Sequence, residues 1–112
     1  METPNLGKTS SGMQANVAAL LSYLVGAITG IIFYLIEKDN KFVRFHAMQS
    51  IVVFGFFFVL SAILPFIPVL GLVLSPIVGI IGLILWVLLM VKAYQGEMYK
   101  LPIAGDIAEK NS

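Results

Sequence analysis

The chain has 112 residues, of which 59% are hydrophobic and 12% are charged, and its net charge is +1. Soluble domains carry about a quarter charged residues, so this composition excludes an ordinary soluble domain and indicates a membrane protein. The seven basic residues form no stripe and barely outnumber the six acidic ones, so nucleic acid is not an expected partner. The absence of cysteine excludes disulfides and thiolate chemistry.

The N-terminal part combines a polar tail with a long apolar run. Residues 1–13 are polar and contain glycine and proline, which predicts a flexible tail. The run from Val17 to Ile36 would form a helix of about 30 Å, the thickness of one bilayer core, so we predict a first transmembrane helix over about 14–36. A signal peptide is the competing interpretation, but the run is longer than a typical signal-peptide core and no small-residue cleavage site follows it.

A charged segment, residues 37–41, separates the first apolar run from the second. Asp39 or Asn40 offers an N-cap for the helix that follows. We predict a second transmembrane helix over 42–64, which is polar at its start and wholly apolar after Ser50.

A chain reversal is predicted in the middle of the sequence. No charged residue occurs from Phe45 to Val91, and one helix over that stretch would be roughly 70 Å long, more than twice the hydrocarbon core of about 30 Å. Pro65 and Pro68 interrupt the stretch, because proline lacks a backbone donor and disfavours helical geometry in the residue before it. We therefore expect the chain to turn back there.

The third predicted transmembrane helix covers residues 76–95. Ser75 is a plausible N-cap, and Pro76 would occupy the first helical position, where its missing donor costs nothing. The apolar residues 66–74 precede this helix. They either lie at the bilayer surface as an interfacial segment or extend the third helix above a kink at Pro76.

These elements predict an all-α, polytopic membrane protein with three transmembrane helices. Its single domain covers residues 14–108, followed by a short C-terminal tail, 109–112. In this arrangement the first loop and the C-terminal segment share one face and carry six of the seven basic residues, whereas the opposite face carries only Lys8. We expect the protein to lie in the plasma membrane. By the positive-inside rule, its N-terminus is then outside the cell and its C-terminus is in the cytoplasm.

A polar strip marks the start of the second predicted helix. His46, Gln49 and Ser50 are spaced to lie on one helix face. One interpretation is interfacial snorkelling together with hydrogen bonds between helices. The other is a functional patch that faces a partner or a water-filled vestibule.

Charged residues of the first loop and of the C-terminal segment are expected to meet on the cytoplasmic face. Lys38, Lys41 and Arg44 can then pair with acidic residues of the C-terminal segment, and several exposed pairs together could order that segment. The acidic residues are Glu97, Asp106 and Glu109. The predicted partner-binding face comprises Lys38, Asn40, Arg44, His46, Gln49, Glu97, Lys100 and Asp106.

Small residues at regular spacing predict close helix packing. Gly26 and Gly30 form one such pair, and Gly71, Ser75 and Gly79 continue the spacing in the second half. We expect these residues to pack within the chain, because three short helices need close contacts among themselves before they can dimerise.

The sequence predicts no catalytic, metal or cofactor site. Its acidic residues lie at segment boundaries, and it has a single histidine. No spacing typical of metal ligands is present, and no nucleophile is paired with a base. An enzyme is therefore not expected.

Two stretches are distinctive beyond their composition. They are EKDNKFVRFHAMQS at residues 37–50 and AYQGEMYKLPIAGD at residues 93–106. On these stretches, the chain from about residue 14 to 108 resembles a family of small, uncharacterised prokaryotic, notably archaeal, integral membrane proteins. That family is grouped with the Tic-twenty-like proteins, whose chloroplast members are membrane components of protein import. The resemblance implies a helical membrane fold and no particular activity.

Two functional hypotheses follow. The first is a non-enzymatic membrane subunit or adaptor that docks partners on its cytoplasmic face. The alternative is an oligomeric component of a transport or protein-translocation system. The expected partners are the lipid bilayer and either another protein or further copies of this chain.

Overall fold

The computed structural model describes residues 7–10 and 12–112, and every regular element in these ranges is helical. The all-α class is thereby confirmed. Two helices are long and apolar enough to cross a membrane, and two shorter apolar helices precede them. The helices are α1 (Ala15–Leu24), α2 (Ala27–Ile36), α3 (Lys41–Ile63), α4 (Pro68–Tyr94) and α5 (Ala104–Lys110).

The first predicted crossing, 14–36, is replaced by a hairpin of α1 and α2. Each of these helices has 10 residues. Between them Gly26 adopts φ 60° and ψ −133°, a conformation that glycine reaches far more easily than other residues. The prediction of one continuous helix is therefore wrong, because the backbone reverses at this glycine.

Contacts with α4 give the direction of α1. The side-chain amide of Asn16 donates to the Tyr94 carbonyl at the end of α4, over 3.0 Å. Further along α1, the Tyr23 carbonyl accepts from Nε1 of Trp86 over 2.7 Å. α1 therefore runs antiparallel to α4, from the end where α4 stops towards the middle of the bundle.

Contacts with α3 show that α2 returns to the same end. Gly26, just before α2, faces Phe54 in the middle of α3. Near the other end of α2, the ring of Tyr34 lies 4.1 Å from the guanidinium carbon of Arg44, which belongs to the first turns of α3. The hairpin thus starts and finishes at one end of the long helices.

Side chains satisfy the backbone groups that the hairpin turn releases. Thr29 Oγ1 accepts from the Val25 N–H and donates to the Ser22 carbonyl, both over 3.1 Å. Ser50 Oγ, on α3, donates to the Gly26 carbonyl over 2.9 Å. An unpaired backbone group in apolar surroundings costs several kcal/mol, so these bonds stabilise a turn that the local sequence would not maintain alone.

The segment before α1 lies beside the segment after α2. The Ser10 N–H donates to both carboxylate oxygens of Glu37, over 3.0 and 2.9 Å, and the Asn40 side chain donates to the Lys8 carbonyl over 3.1 Å. The structure therefore contradicts the prediction that Lys8 and the 37–41 segment lie at opposite ends. Residues 1–6 and 11 of the predicted N-terminal tail lie outside the described residues.

The predicted reversal at the paired prolines is confirmed. A single 3-10 turn, Leu64–Phe66, contains Pro65, and Pro68 is the first residue of α4. A proline is well suited to that position because the first helical N–H has no partner within the helix.

The start of the last long helix differs from the prediction. Ser75 is not an N-cap, because it lies inside α4 and its hydroxyl donates to the Gly71 carbonyl over 2.7 Å. Pro76 also lies inside the helix. Residues 68–74 therefore extend this helix, as in the second alternative, and do not form a separate interfacial segment.

Buried residues are concentrated in the half of the molecule that contains the hairpin. The apolar core combines α1, the start of α3 and the end of α4, with Tyr23, Val43 and Leu89 fully buried. In contrast, from Phe58 to Leu88 only Leu64 and Gly71 are buried, both next to the proline turn. The far half of the described structure therefore consists of α3, α4 and the proline turn that joins them.

The small residues predicted to pack closely fall into two groups. Gly30 lies against α3, where a Cβ atom would come within 2.9 Å of the Ala47 carbonyl oxygen. Gly26 faces Phe54, and a Cβ atom on Gly71 would collide with the Leu64 carbonyl. No atom lies within 4 Å of a Cβ built on Gly79, and Ser75 is exposed.

Substituting Gly30 tests the contact between α2 and α3. We expect Gly30→Ala to lower the free energy of unfolding by about 1–3 kcal/mol, because the methyl group forces the Ala47 backbone to shift. Thermal unfolding in detergent, followed by circular dichroism, measures this change. The matched control is Gly79→Ala, which meets open space and should leave the melting temperature unchanged or raise it. Equal destabilisation by both variants would contradict the close contact.

Candidate functional site

Three hydrophilic segments meet at one end of the bundle, which we call the charged end. They are residues 7–10 and 12–16, the 37–50 stretch and the C-terminal residues 92–112. All seven lysine and arginine residues lie in these segments. The opposite turn, 64–67, contains no charged residue. The basic residues of the chain are therefore all gathered at this end of the bundle.

Glu37 joins the N-terminal segment to the loop between α2 and α3. Its side chain is 1% exposed and accepts from the Ser10 hydroxyl over 2.8 Å and from the N–H groups of Asp39 and Asn40. Burial raises the pKa of the Glu37 carboxyl, but the hydrogen bonds from Ser10, Asp39 and Asn40 outweigh burial and hold the pKa below its usual value. The surroundings of Glu37 therefore favour its carboxylate form, and the hydrogen bonds to this carboxylate fix the loop and the N-terminal segment.

Asn40 is the N-cap of α3. Its side-chain oxygen accepts from the Val43 N–H over 3.1 Å, which satisfies one of the free donors in the first turn. The prediction of a cap at Asp39 or Asn40 is confirmed. Because the same side chain also donates to Lys8, the cap fixes the N-terminal segment as well.

Arg44 caps the C-terminal end of α2. Its Nη1 donates to the carbonyls of Tyr34 and Glu37, over 3.0 and 2.7 Å, and its Nε donates to the Ser112 carbonyl over 3.2 Å. A cation is favourable here because the last carbonyls of a helix lack partners and carry partial negative charge. Arg44 thus connects the hairpin to the C-terminal residues.

Among the described residues, the ion pairs of the charged end lie within the C-terminal segment. Lys92 pairs with Glu97 at 3.0 Å, and Lys100 lies 2.9 Å from Glu109 and 4.0 Å from Asp106. The hydrogen bond to Glu109, together with the charges of Glu109 and Asp106, raises the pKa of the Lys100 ammonium. The predicted pairing between the loop and the tail is wrong, because Arg44 binds carbonyls and neighbouring lysines hold the acidic groups. The prediction had paired Lys38, Lys41 and Arg44 with Glu97, Asp106 and Glu109, and none of these ion pairs is formed.

His46 and Tyr23 form the centre of a buried hydrogen-bond chain. His46 Nε2 lies 2.8 Å from the Glu97 carbonyl, which can only accept, so Nε2 carries the proton. Nδ1 is then the acceptor for the Tyr23 hydroxyl, over 2.6 Å. The Gln49 side chain in turn donates to the Tyr23 oxygen over 3.0 Å. The series of hydrogen bonds therefore runs in one direction, with each donor facing the next acceptor from Gln49 through Tyr23 and His46 to the Glu97 carbonyl.

Gln49 fastens the C-terminal segment to α3. Its Nε2 donates to the Tyr99 carbonyl over 2.8 Å, and its Oε1 accepts from the Leu101 N–H over 3.1 Å. Residues 97–101 belong to no helix and therefore lack helical partners for these groups, which the Gln49 amide supplies instead. We call residues 97–101 the strap.

The predicted partner-binding residues thus divide by exposure. Asn40, His46 and Gln49 are buried, Arg44 is half-buried, and each of the four side chains forms hydrogen bonds to groups within the chain. For His46 and Gln49, these contacts agree with the first interpretation of the polar strip, in which its side chains form hydrogen bonds within this chain. The exposed members are Lys38, Glu97, Lys100 and Asp106.

Several residues that stabilise this arrangement were not predicted from the sequence. Tyr23 and Trp86 each supply a polar atom within an apolar run, and Thr29 and Asn16 bond to backbone groups. A buried tyrosine or tryptophan usually needs a hydrogen-bond partner, and that was the available signal. Within residues 7–10 and 12–112, no group of three or more His, Cys, Asp or Glu side chains could hold a metal ion.

Comparisons with known proteins identify relatives over nearly the whole chain. Residues 8–108 match the model of the magnetosome magnetite crystal formation protein family. A UPF0132 membrane protein of Methanocaldococcus jannaschii is 55% identical over 107 residues, covering 96% of each chain. One from Archaeoglobus fulgidus is 54% identical over 98 residues, covering 88% of this chain and 95% of the relative. No solved structure matches the chain.

The apolar helices and the relatives' names define a helical membrane protein. The chain belongs to the UPF0132 membrane protein family, and the two relatives named above come from archaea. The expected resemblance to archaeal membrane proteins is confirmed. The grouping with Tic-twenty-like proteins stays a prediction.

Substituting Gln49 tests how the strap is held. Gln49→Leu leaves the Tyr99 carbonyl and the Leu101 N–H without their partners, at a cost of about 1–3 kcal/mol. We expect faster hydrogen–deuterium exchange in residues 97–104, measured by mass spectrometry in detergent. Gln95→Leu makes the same chemical change at an exposed position and is the control. Unchanged exchange in Gln49→Leu would show that the amide does not hold the strap.

Proposed function

We propose that this protein is a non-enzymatic membrane subunit that docks a partner protein on its charged end. The observation that supports the proposal is a separation of roles among the polar residues. Glu37, Arg44, His46 and Gln49 bond to backbone groups and hold the segments together. A second set, made up of charged residues, is exposed at the surface. This second set is Lys38, Lys41, Glu97, Lys100, Asp106 and Glu109.

A fixed surface with charges of both signs suits specific protein recognition. Charged groups at the rim of an interface guide encounter and select partners by complementarity. Because hydrogen bonds fix the segments that carry these groups, little conformational entropy has to be lost on docking. The family description mentions magnetite crystal formation, but the proposal does not depend on metal binding.

We further propose that all three hydrophilic segments face the cytoplasm. All seven basic residues lie at the charged end, and the positive-inside rule assigns such an end to the cytoplasm. This replaces the expectation of an N-terminus outside the cell. The proline turn at 64–67 is then the part that reaches the external surface.

Cysteine labelling in intact cells tests this topology. The chain has no native cysteine, so single variants at Lys8, Lys38 and Lys110 report on the three segments, and one at Phe66, which is 86% exposed, reports on the turn. We expect a membrane-impermeant maleimide to label only Phe66→Cys before permeabilisation and all four variants afterwards. Labelling of Lys8→Cys but not Lys38→Cys from outside would restore the three-crossing arrangement.

Charge removal in the first loop tests partner docking. Proteins cross-linked to the full chain in native membranes are purified in mild detergent and quantified by mass spectrometry. We expect the double variant Lys38→Gln, Lys41→Gln to reduce the specific partner about tenfold, equivalent to about 1.4 kcal/mol. Lys38→Arg, Lys41→Arg keeps the charges and is the matched control.

Two outcomes would contradict the docking proposal. One is an unchanged set of cross-linked proteins in the glutamine variant. The other is a homo-oligomer as the sole cross-linked product, which would favour the alternative of an oligomeric transport or translocation component. That alternative needs several copies, because two membrane-length helices cannot enclose an aqueous pore.

A further inference from the structure

The helices are distributed unequally along the molecule. In the half next to the charged end, α1, α2 and the C-terminal segment pack around α3 and α4. In the other half α3 and α4 have only each other and the proline turn. The cross-section is therefore much wider at the charged end than at the turn.

The depth of the hairpin matches one leaflet. Helices of 10 residues are about 15 Å long, which is half of the hydrocarbon core of about 30 Å. In contrast, α4 has 27 residues and a length of about 40 Å, enough to cross completely. The turn of the hairpin lies beside Phe54 and Trp86, well inside the two long helices.

The outer surface of the hairpin is suited to lipid. The large apolar side chains of α2 point away from the protein, with Ile28 63% and Leu35 65% exposed. Burying such side chains in lipid stabilises each by roughly 1.5–3 kcal/mol relative to water. The paired backbone groups at the turn also suit a medium that offers no hydrogen bonds. These features favour a hairpin inserted in the bilayer over one lying above it.

The C-terminal segment adds width to the same half. It descends along α3 from the level of His46 to that of Phe56 and returns through α5 to the level of Arg44. Between this segment and the long helices is an apolar cleft of about 530 Å³, lined by residues that include Val52, Phe56 and Ile103. Lipid tails that fill the cleft would add further volume to this leaflet.

We propose that the protein is a wedge that prefers curved membranes, with its charged end on the convex side. A body that is wider in one leaflet displaces more lipid from that leaflet than from the other. The elastic strain in the bilayer is least when the leaflet that contains the wide half of the protein is the convex leaflet of a curved bilayer. Because the two orientations and the two curvatures then differ in free energy, the protein redistributes between them. This inference does not depend on the proposed docking partner.

Single-vesicle fluorescence tests the wedge. The full chain is purified as Lys38→Cys, labelled and reconstituted into vesicles of one lipid composition and a broad range of diameters. We expect a severalfold higher density of protein per lipid in the smallest vesicles than in the largest. A density independent of diameter would overturn the proposal.

Orientation in the vesicles gives a second readout. Unlabelled Lys38→Cys and Phe66→Cys proteins are reconstituted separately and treated with an impermeant maleimide from outside. In small vesicles we expect Lys38→Cys to react in most molecules and Phe66→Cys in few, whereas in large vesicles both react to similar extents. Equal reactivity in small vesicles would count against a wedge with its wide end outwards.

Two sets of lipid-facing substitutions should shift the preference in opposite directions. Replacing Ile28, Ile32 and Leu35 by alanine narrows the wide half and should weaken the preference for small vesicles. Replacing Phe58, Val69 and Leu72 by alanine narrows the other half and should strengthen it. All six side chains are exposed, so neither set removes a core residue, and circular dichroism checks that both variants fold. A shift in the same direction for both sets would contradict the proposal.

Discussion

The first apolar segment can turn back because side chains take up the backbone groups that the turn releases. Thr29, Ser50 and Trp86 bond to the carbonyls around Gly26, and two of these three residues come from other helices. In apolar surroundings each unpaired group would cost several kcal/mol, so without these bonds a continuous helix would be preferred. The hairpin and the packing around it form as one unit. The position of the N-terminal segment at the charged end follows from this turn.

The polar residues at the charged end connect segments that are distant in sequence. Among the described residues, every buried side-chain nitrogen or oxygen has a hydrogen-bond partner. Such a network is stable only when it is complete, because a half-satisfied buried polar group is more costly than an apolar one. Glu37, Arg44, His46 and Gln49 each contact backbone groups, so their side chains define the path of the chain. This explains why the distinctive stretch 37–50 consists of these residue types although most of them do not reach the surface.

Sequence reasoning succeeded where local rules decide the structure. The helical class, the reversal at Pro65 and Pro68 and the cap at Asn40 all follow from composition or from a few adjacent residues. It failed at Gly26, because a run as long as one bilayer crossing fits a single helix equally well. The partners that stabilise the break come from α3 and α4, and their approach cannot be read from the run itself. The expected ion pairs failed similarly, since helix-end carbonyls competed for Arg44.

The uncharged turn between α3 and α4 has a consequence for biogenesis. Moving a lysine, arginine or aspartate through the centre of a bilayer costs at least about 2.5 kcal/mol per residue. In the topology proposed above, the segment translocated during insertion is Leu64–Ile67, which has no ionisable side chain. α3 and α4 can therefore enter together as a hairpin without dragging a charge through the hydrocarbon. In the same proposed topology the short hairpin of α1 and α2 starts and ends on the cytoplasmic side, so neither of its flanking segments has to cross the bilayer.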